Sequence, residues 1–337
     1  MQTVDIHMHL LNSRARFDRF YDRLAIRFFG RKLGADPAAL IADPYRAYCD
    51  TLLHRLEESR YLAKAVLFGV DAKVDDQGNE LHRDPTVCAT NEDLLALYHR
   101  APDRIIPFMS VNPLRPDALE RVERYAEQGC RGVKFLQNYW GIDTREKRFE
   151  PFFRKLADLR LPLIVHIGSE SSVHSHPKNE GLEMLEGPLR AGVTTIAAHV
   201  GLEYSPRHPI RALSKNPKQF GAHYHRLLKM LEEHETLYAD ISAILTPVRA
   251  RALPHLAAQE QIHGKLLFGT DFPVPFTTLL TTHDLPWRRR WELNRIENPF
   301  DRYVETVLEY FPEENPVWSN YKKVLEAPSA QSIVASR

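Results

Sequence analysis

Two histidines near the start of the chain, His7 and His9, are the first residues whose type and spacing suggest chemistry. They lie in the short apolar run Val4–Leu10. In a β-strand, alternate side chains leave the same face, so both imidazoles would project toward one point. Neutral imidazoles are good ligands for transition metals. The pair alone is weak evidence, because the chain has 16 histidines and two more pairs at this spacing. Those pairs are His174/His176 and His223/His225.

Three later residues of similar chemistry stand at the ends of apolar runs. His166 follows Leu163-Ile164-Val165, His199 follows Ile196-Ala197-Ala198, and Asp271 closes the run that begins at Leu266. A single histidine in an apolar run is more often an ordinary core residue. Five ligand-type or base-type residues at the ends of four runs instead predict one shared site, because independent core histidines need not fall in the same layer.

The elements that would position these residues alternate along the chain as strand-like and helix-like segments. Most of the strand-like runs are continuously apolar, which is typical of parallel strands buried on both faces. Eight such runs separated by helices predict an α/β fold, a (β/α)8 TIM barrel. An open doubly wound sheet is the alternative, but no GxGxxG follows the first strand. The predicted strands are Thr3–His9, Ala63–Val70, Arg104–Val111, Gly132–Leu136, Pro162–Ile167, Thr194–Val200, Leu237–Ile241 and Lys265–Gly269.

Two long connections interrupt this rhythm, after strands one and eight. Residues 10–62 include a helix-like stretch near Tyr45–Ser59, and residues 272–337 include Phe300–Tyr310 and Val317–Leu325. Both leave the carboxyl ends of strands, where barrel enzymes place their active sites, so they are candidates for lids, substrate walls or subunit contacts. We expect a single barrel domain over residues 1–327 and a flexible tail over residues 328–337.

Composition excludes several classes of protein. The 337 residues carry a formal net charge of +1, which gives no general attraction to nucleic acid or to an anionic membrane. No apolar run approaches the ~20 residues that a membrane-spanning helix needs. The three cysteines are far apart and odd in number, which favours a reducing compartment over a disulfide framework. Because the candidate ligands begin at residue 7, no room is left for a cleavable signal peptide, and we expect a cytoplasmic protein.

The ordered set of motifs resembles the amidohydrolase superfamily, in particular the amidohydrolase-related branch that includes aminocarboxymuconate-semialdehyde decarboxylase. The resemblance runs through Asp5–His9, Leu163–His166, Ala198–Gly201 and Leu267–Pro273. It implies that one divalent ion, usually zinc, is bound by His7, His9, His166 and Asp271. It also implies that His199 is a general acid/base and that a homodimer is one option. Imidazole and carboxylate ligands suit zinc, although manganese or another divalent ion fits almost as well.

Such a site supports two reactions on a small-molecule substrate. A metal with one open position lowers the pKa of its bound water toward ~7, and attack on a polarised carbonyl then hydrolyses an amide, ester or lactone. Asp271 would accept the water proton and His199 would polarise the substrate or shuttle a proton. The branch also contains decarboxylases of aromatic or unsaturated acids. Those that act on hydroxybenzoates often carry glutamate where this chain has His7, so we favour hydrolysis or the aminocarboxymuconate type of reaction. A non-catalytic binding barrel is the remaining alternative, but no ligand of the pattern is missing.

Other residues are candidates for accessory roles. Lys134, in the fourth run, is either a buried cation, a substrate contact, or the carboxylated lysine that bridges two ions in binuclear members of the superfamily; we expect one ion. Trp140 and His174 lie after the fourth and fifth runs, where they could contact substrate or simply pack. Asp71 and Asp240, near strand ends, could orient ligand histidines. The basic stretch Arg288–Arg290 fits an exposed helix better than a nucleic-acid contact.

Overall fold

The computed structural model describes residues 1–17, 34–169, 173–202 and 213–325, together with Arg23, Ile26, Arg27 and Gly30. Its strands, in chain order, are β1 (Thr3–His9), β2 (Leu62–Phe68), β3 (Lys73–Val74), β4 (Glu80–His82), β5 (Ile105–Met109), β6 (Gly132–Phe135), β7 (Leu163–Val165), β8 (Thr195–Ala197), β9 (Leu237–Asp240) and β10 (Leu266–Leu267). Within the described residues, eight of these strands form one sheet in the order β1-β2-β5-β6-β7-β8-β9-β10, and β3 and β4 form a separate antiparallel hairpin.

The eight strands of the large sheet are parallel and close into a barrel. Each strand pairs in parallel with the next one in the order above. The barrel closes where Ile6 N donates to Phe268 O at 3.0 Å and His9 N donates to Phe272 O at 2.8 Å. The predicted (β/α)8 barrel is therefore confirmed. The described α-helices are Pro37–Ala42, Pro44–Glu58, Asn91–Arg100, Ala118–Glu127, Gln137–Trp140, Glu150–Asp158, Glu186–Arg190, Ala222–Glu233, Leu253–Ala257, Thr278–Thr281, Trp287–Asn294, Pro299–Leu308 and Tyr321–Leu325.

Apolar side chains, most of them from the strands, fill the barrel interior. The interior cluster comprises Val4, Ile6, Val66, Phe68, Phe108, Ile164, Ile196, Ala198, Leu267 and Val324. Gly132 is required there, because a Cβ on it would stand 2.3 Å from the Phe108 ring. At the amino end of β1, Thr3 donates to Trp318 O at 2.6 Å. The C-terminal segment thus packs under the amino ends of the strands, and the carboxyl ends remain for the site.

An irregularity in β1 decides where its histidines point. Val4 and Ile6 belong to the interior cluster, so regular alternation would turn His7 away from it. Asp5 pairs with Ala65 and Met8 with Leu67, so two residues of β1 oppose the single residue Val66 of β2, which is the signature of a β-bulge. After the bulge, the rings of His7 and His9 lie 5.0 Å and 4.7 Å from the ring of Phe68. The bulge therefore turns both histidines into the barrel.

The long connections after the first and last barrel strands pack against each other. The predicted helices near Tyr45–Ser59 and Phe300–Tyr310 are observed as Pro44–Glu58 and Pro299–Leu308. Asp301 joins them, since its carboxylate accepts hydrogen bonds from Ser59 Oγ at 2.7 Å and from Arg60 Nε at 3.1 Å. Tyr48 donates its hydroxyl to the carbonyl oxygen of His9. The first connection therefore supports the strand that carries the histidines.

Two other predictions concern membrane-spanning helices and the bounds of the domain. Over the described ranges, no helix is both long enough and apolar enough to cross a bilayer. The predicted tail, residues 328–337, lies outside the described residues. The single domain over residues 1–327 stays a prediction.

Candidate metal centre

Three side chains with metal-binding atoms converge at the carboxyl end of the barrel. His7 Nε2 lies 3.3 Å from Asp271 Oδ1, and His9 Nε2 lies 3.2 Å from the same oxygen. One ligand atom from each of the three residues lies within 4.8 Å of the others. The three come from opposite ends of the sequence, and we call them the His7–His9–Asp271 triad below.

Backbone contacts between β1 and the segment after β10 hold this triad together. Asp271 N donates to His7 O at 2.8 Å. Asp5 accepts from His7 N at 2.9 Å and from Thr270 N at 3.1 Å, so one carboxylate ties both segments. Gly269 allows this approach, because a Cβ on it would lie 3.0 Å from the Cβ of His7. Asp271 itself has φ of 65°, a left-handed conformation that costs free energy and is often found at active sites.

Four histidine rings form a continuous series beside Asp271. The centroids of the His9 and His7 rings are 5.4 Å apart, those of His7 and His199 are 5.0 Å apart, and those of His199 and His166 are 5.1 Å apart. His199 lies in a turn where its φ is 59° and that of Val200 is 47°. For a β-branched residue such as valine, this is a strained conformation. The turn brings the His199 ring between the triad and His166.

Asp240 and Ser242, at the end of β9, fix the orientation of two of these rings. Asp240 Oδ2 lies 2.8 Å from His7 Nδ1, which directs His7 Nε2 toward Asp271. Asp240 Oδ1 accepts from His199 N at 2.9 Å, and Ser242 Oγ lies 2.8 Å from His199 Nδ1. Burial opposes ionisation of Asp240, but the interaction with His7 holds the pKa of this carboxyl below its usual range. A carboxylate behind a ligand imidazole is a common support in metal sites.

The protonation states suit a divalent cation. Burial, and then the charge of Lys134, lowers the pKa of His7, so its imidazole is neutral and its Nε2 lone pair can bind metal. Burial alone would raise the pKa of Asp271, but His199, His9 and His7 hold it well below the usual range. Asp271 Oδ1 is buried and accepts no hydrogen bond from any described residue. Two imidazoles and an unsatisfied carboxylate oxygen fit zinc or a similar ion.

Replacing Asp240 tests its support of His7. We expect Asp240→Asn to weaken metal affinity about 10- to 100-fold, because an amide cannot hold the His7 tautomer as a carboxylate does. Competition with a chromophoric chelator measures this affinity. Asp301→Asn is the matched control, since Asp301 is equally buried but bonds to Ser59 and Arg60 outside the barrel. Equal metal affinity in the two variants would contradict the role given to Asp240.

The remaining predicted ligand and the buried lysine lie next to the triad. The His166 ring contacts that of His199, but His166 is not one of the three residues whose ligand atoms converge. Its assignment as a fourth ligand stays a prediction. Lys134 Nζ lies 3.2 Å from His7 Nε2 and 4.9 Å from the centre of the Phe68 ring. Lys134 therefore reaches the triad, and its role in binding substrate or a second ion also stays a prediction.

Other predicted contacts fall farther from the triad. Trp140 is buried, packs against Phe135 with ring centroids 4.9 Å apart, and donates Nε1 to Asp71 O at 2.9 Å. His174 is exposed, and its ring lies 5.5 Å from that of His176. Their roles in substrate binding stay predictions. Asp71 does not orient a ligand histidine, because its carboxylate accepts hydrogen bonds from Arg115 Nε and Nη2 at 2.7 Å each.

Some residues of this centre were not identified from the sequence. Ser242 follows Asp240 by two residues, so a serine just after a strand that ends in aspartate was a usable signal. Asp5 precedes His7 on the same strand, but its partner Thr270 N is known only from the fold. Arg249 lies in a buried segment after β9 and influences the pKa of His199, and no local motif marks it.

A parallel barrel with imidazole and carboxylate donors at the carboxyl ends of its strands defines a class of metal-centred barrel enzymes. The sequence profile of the Amidohydrolase family matches residues 4–285. The chain belongs to the amidohydrolase family, and the predicted resemblance is confirmed. No curated protein matches the sequence.

Solved structures of similar fold include both hydrolases and decarboxylases. A probable 2-pyrone-4,6-dicarboxylic acid hydrolase from Acinetobacter baumannii, with citric acid bound, is 14% identical over 97% of this chain and 100% of that one, with a TM-score of 0.54. An amidohydrolase from Burkholderia multivorans with bound zinc is 16% identical over 97% and 100%, with a TM-score of 0.56. A 2,6-dihydroxybenzoate decarboxylase in complex with 2,6-dihydroxybenzoate is 14% identical over 90% and 100%, with a TM-score of 0.50. The prediction of an amidohydrolase-type enzyme is thus confirmed at the level of the family.

Proposed function

We propose that this protein is a zinc-dependent hydrolase that cleaves an amide, ester or lactone of a small molecule. The observation that carries the proposal is the convergence of His7 Nε2 and His9 Nε2 on Asp271 Oδ1 at the open end of the barrel. The donor set supports zinc as the ion, as does the bound zinc of the Burkholderia multivorans relative. The three cysteines are all free, which supports a reducing, cytoplasmic setting. The homodimer stays a prediction.

The residues around the triad have distinct tasks in this reaction. When bound, a divalent ion lowers the pKa of water and polarises a carbonyl oxygen. Asp271 takes the proton from the attacking water and passes it to the leaving group as the bond from that group to the carbonyl carbon breaks. Ser242 Oγ holds Nδ1 of His199, so Nε2 is the nitrogen that faces a substrate. Burial, and then the charge of Arg249, lowers the pKa of His199 well below its usual value, so a neutral ring orients the attacking water or the substrate carbonyl while Asp271 carries the proton.

Hydrolysis is favoured over decarboxylation of the hydroxybenzoate type by the residue at the first ligand position. Some decarboxylases of the resembled branch carry glutamate there, whereas this chain has His7, whose ring is oriented by Asp240. With histidine in place of glutamate, the triad carries one carboxylate fewer. A centre with two imidazole ligands and one carboxylate has a higher net charge, once it holds a divalent ion, than one with two carboxylates. Such a centre is a stronger activator of water.

Removal of metal tests the dependence on an ion. We expect dialysis against a chelator to abolish turnover, and one equivalent of zinc per chain to restore it, because the triad offers a single cluster of ligand atoms within the described residues. Elemental analysis and activity on the same samples measure the effect. Full activity in protein free of metal would contradict the proposed mechanism.

The reaction class is tested by following atoms from the solvent into the product. Amides, esters, lactones, and aromatic or unsaturated acids are screened on zinc-loaded protein, and active substrates are then turned over in ¹⁸O-water and in D₂O. Hydrolysis places one ¹⁸O atom in the new carboxylate. Decarboxylation instead releases carbon dioxide and forms a C–D bond at the carbon that lost it. The second result would replace hydrolase by decarboxylase and leave the metal centre in place.

A further inference from the structure

Arg249 is a buried cation for which the described residues supply no counter-charge. Its side chain is 8% exposed, and its Nε donates no hydrogen bond to any described residue. Its Nη2 reaches Ser169 O only at 3.4 Å, at the limit of a hydrogen bond. In the part of the chain that the structure describes, no carboxylate forms an ion pair with it. A buried, unpaired charge is costly, so such a residue usually has a partner that the folded chain does not supply.

The position of Arg249 connects it to the metal centre. It lies on the buried segment that follows β9, and the same segment carries Ser242, which bonds to His199. The carbonyl that Arg249 approaches belongs to Ser169, three residues after His166. The charge of Arg249 also contributes, after burial, to the lowered pKa of His199. The guanidinium therefore lies between the loops that follow β7 and β9, at the mouth that holds the histidines.

A neighbouring arginine shows what a structural role looks like in the same segment. Arg251 is as deeply buried as Arg249, at 5% exposure. Its guanidinium donates from Nε to Val248 O at 3.0 Å and from Nη1 to Gln219 O at 3.1 Å. Arg251 thus joins segments of the chain, whereas Arg249 has no comparable set of hydrogen bonds to the residues that the structure describes.

We infer that Arg249 binds a carboxylate of the substrate, so that the enzyme acts on a small organic acid whose reacting carbonyl lies at the His7–His9–Asp271 triad. The planar guanidinium has a fork of N–H donors that matches a carboxylate and forms charge-assisted hydrogen bonds with it. The inference rests on the proposed function, because it names the class of acid on which that site acts. It also gives Arg249 a task in specificity: neutral esters or lactones of the same size lack the group that it binds.

The test compares small diacids with their diamides. Binding of malonate, succinate and glutarate, and of the corresponding diamides, is measured by calorimetry on metal-free and zinc-loaded protein. We expect at least one diacid to bind the wild type, and Arg249→Met to weaken that binding about 10- to 100-fold, the range for hydrogen bonds to a charged group. The diacid affinity of Arg249→Lys should lie between those of the wild type and Arg249→Met, since lysine keeps the charge but not the fork of N–H donors. Diamide binding should not change.

Arg251→Met is the matched control, because it removes a buried arginine that bonds to backbone carbonyls. It should lose thermal stability and keep the diacid affinity. Equal diacid affinity in Arg249→Met and the wild type would overturn the inference, and so would the absence of diacid binding to the wild type. If Arg249→Met does not fold, a crystal structure of the wild type with glutarate decides. A glutarate carboxylate bound to the Arg249 guanidinium supports the inference, whereas glutarate bound only at the histidines overturns it.

The proposed function can fail separately from this inference. If diacids bind metal-free protein through Arg249 but no hydrolysis is found for any substrate, the carboxylate site at Arg249 is supported and the proposed hydrolase activity is rejected. If neutral lactones are hydrolysed equally well by the wild type and by Arg249→Met, and diacids bind both equally, the hydrolase activity is supported and the carboxylate site at Arg249 is rejected.

Discussion

Asp271→Asn is expected to lower kcat about 10³-fold or more and to reduce the zinc content of the purified protein. The carboxylate has two tasks in the proposed reaction, as the oxygen on which His7 and His9 converge and as the acceptor of the water proton. The amide has nearly the same shape, but it carries no charge and cannot take a proton at neutral pH, so both tasks are lost. Steady-state kinetics and elemental analysis on the same preparation measure the effect.

A second carboxylate at the rim of the barrel serves as the control for this variant. Asp71 accepts two hydrogen bonds from Arg115, so Asp71→Asn should lower thermal stability while zinc content and kcat stay near those of the wild type. If Asp271→Asn kept its zinc and lost less than tenfold in kcat, neither the ligand role nor the base role of Asp271 could be maintained.

The strands of the barrel could be predicted because burial on both faces leaves a strong signal in the sequence. The predicted first strand, Thr3–His9, matches β1 residue for residue, and the other seven predicted strands overlap the observed ones. The hairpin of β3 and β4 was not predicted. Its strands are two and three residues long, and Glu80–His82 is exposed, so no apolar run marks it. A short strand held by one partner outside the core has no periodic pattern to detect.

The arrangement of the site could be predicted only in part. Alternation along β1 predicts that His7 and His9 share a face, but the β-bulge that turns this face inward depends on pairing with β2. Likewise, the left-handed turns at His199 and Asp271 are not encoded by glycines, which would have marked them in the sequence. Contacts between distant segments fix these conformations. Arg249 illustrates the same limit, because the sequence shows neither its burial nor that the described residues offer it no carboxylate partner.

In the site, residues with strained backbone conformations are held by many hydrogen bonds to buried carboxylates. This combination favours a catalytic over a purely structural role. His199, Val200 and Asp271 all have positive φ, which the surrounding hydrogen bonds must stabilise. Asp5 and Asp240 provide that support by accepting backbone N–H groups from the strained segments and their neighbours. Burial raises the pKa of Asp5 to about 7, despite its hydrogen bonds from Thr270 and His7. Buried acidic groups of this kind are costly to stability and are common at functional sites.

His199→Asn is expected to lower kcat by about 10²- to 10⁴-fold while the protein keeps its zinc, because the ring orients the reacting groups during proton transfer and is not part of the triad. Kinetics and zinc content are measured together. His263→Asn is the control, since His263 is also buried but contacts Leu256 O and Asn315 and lies before the amino end of β10, whereas Asp271 follows its carboxyl end. The His263→Asn variant should lose stability but keep the kcat and zinc content of the wild type. Loss of zinc together with turnover in His199→Asn would make His199 a ligand, and a loss of less than tenfold in kcat would remove it from the reaction.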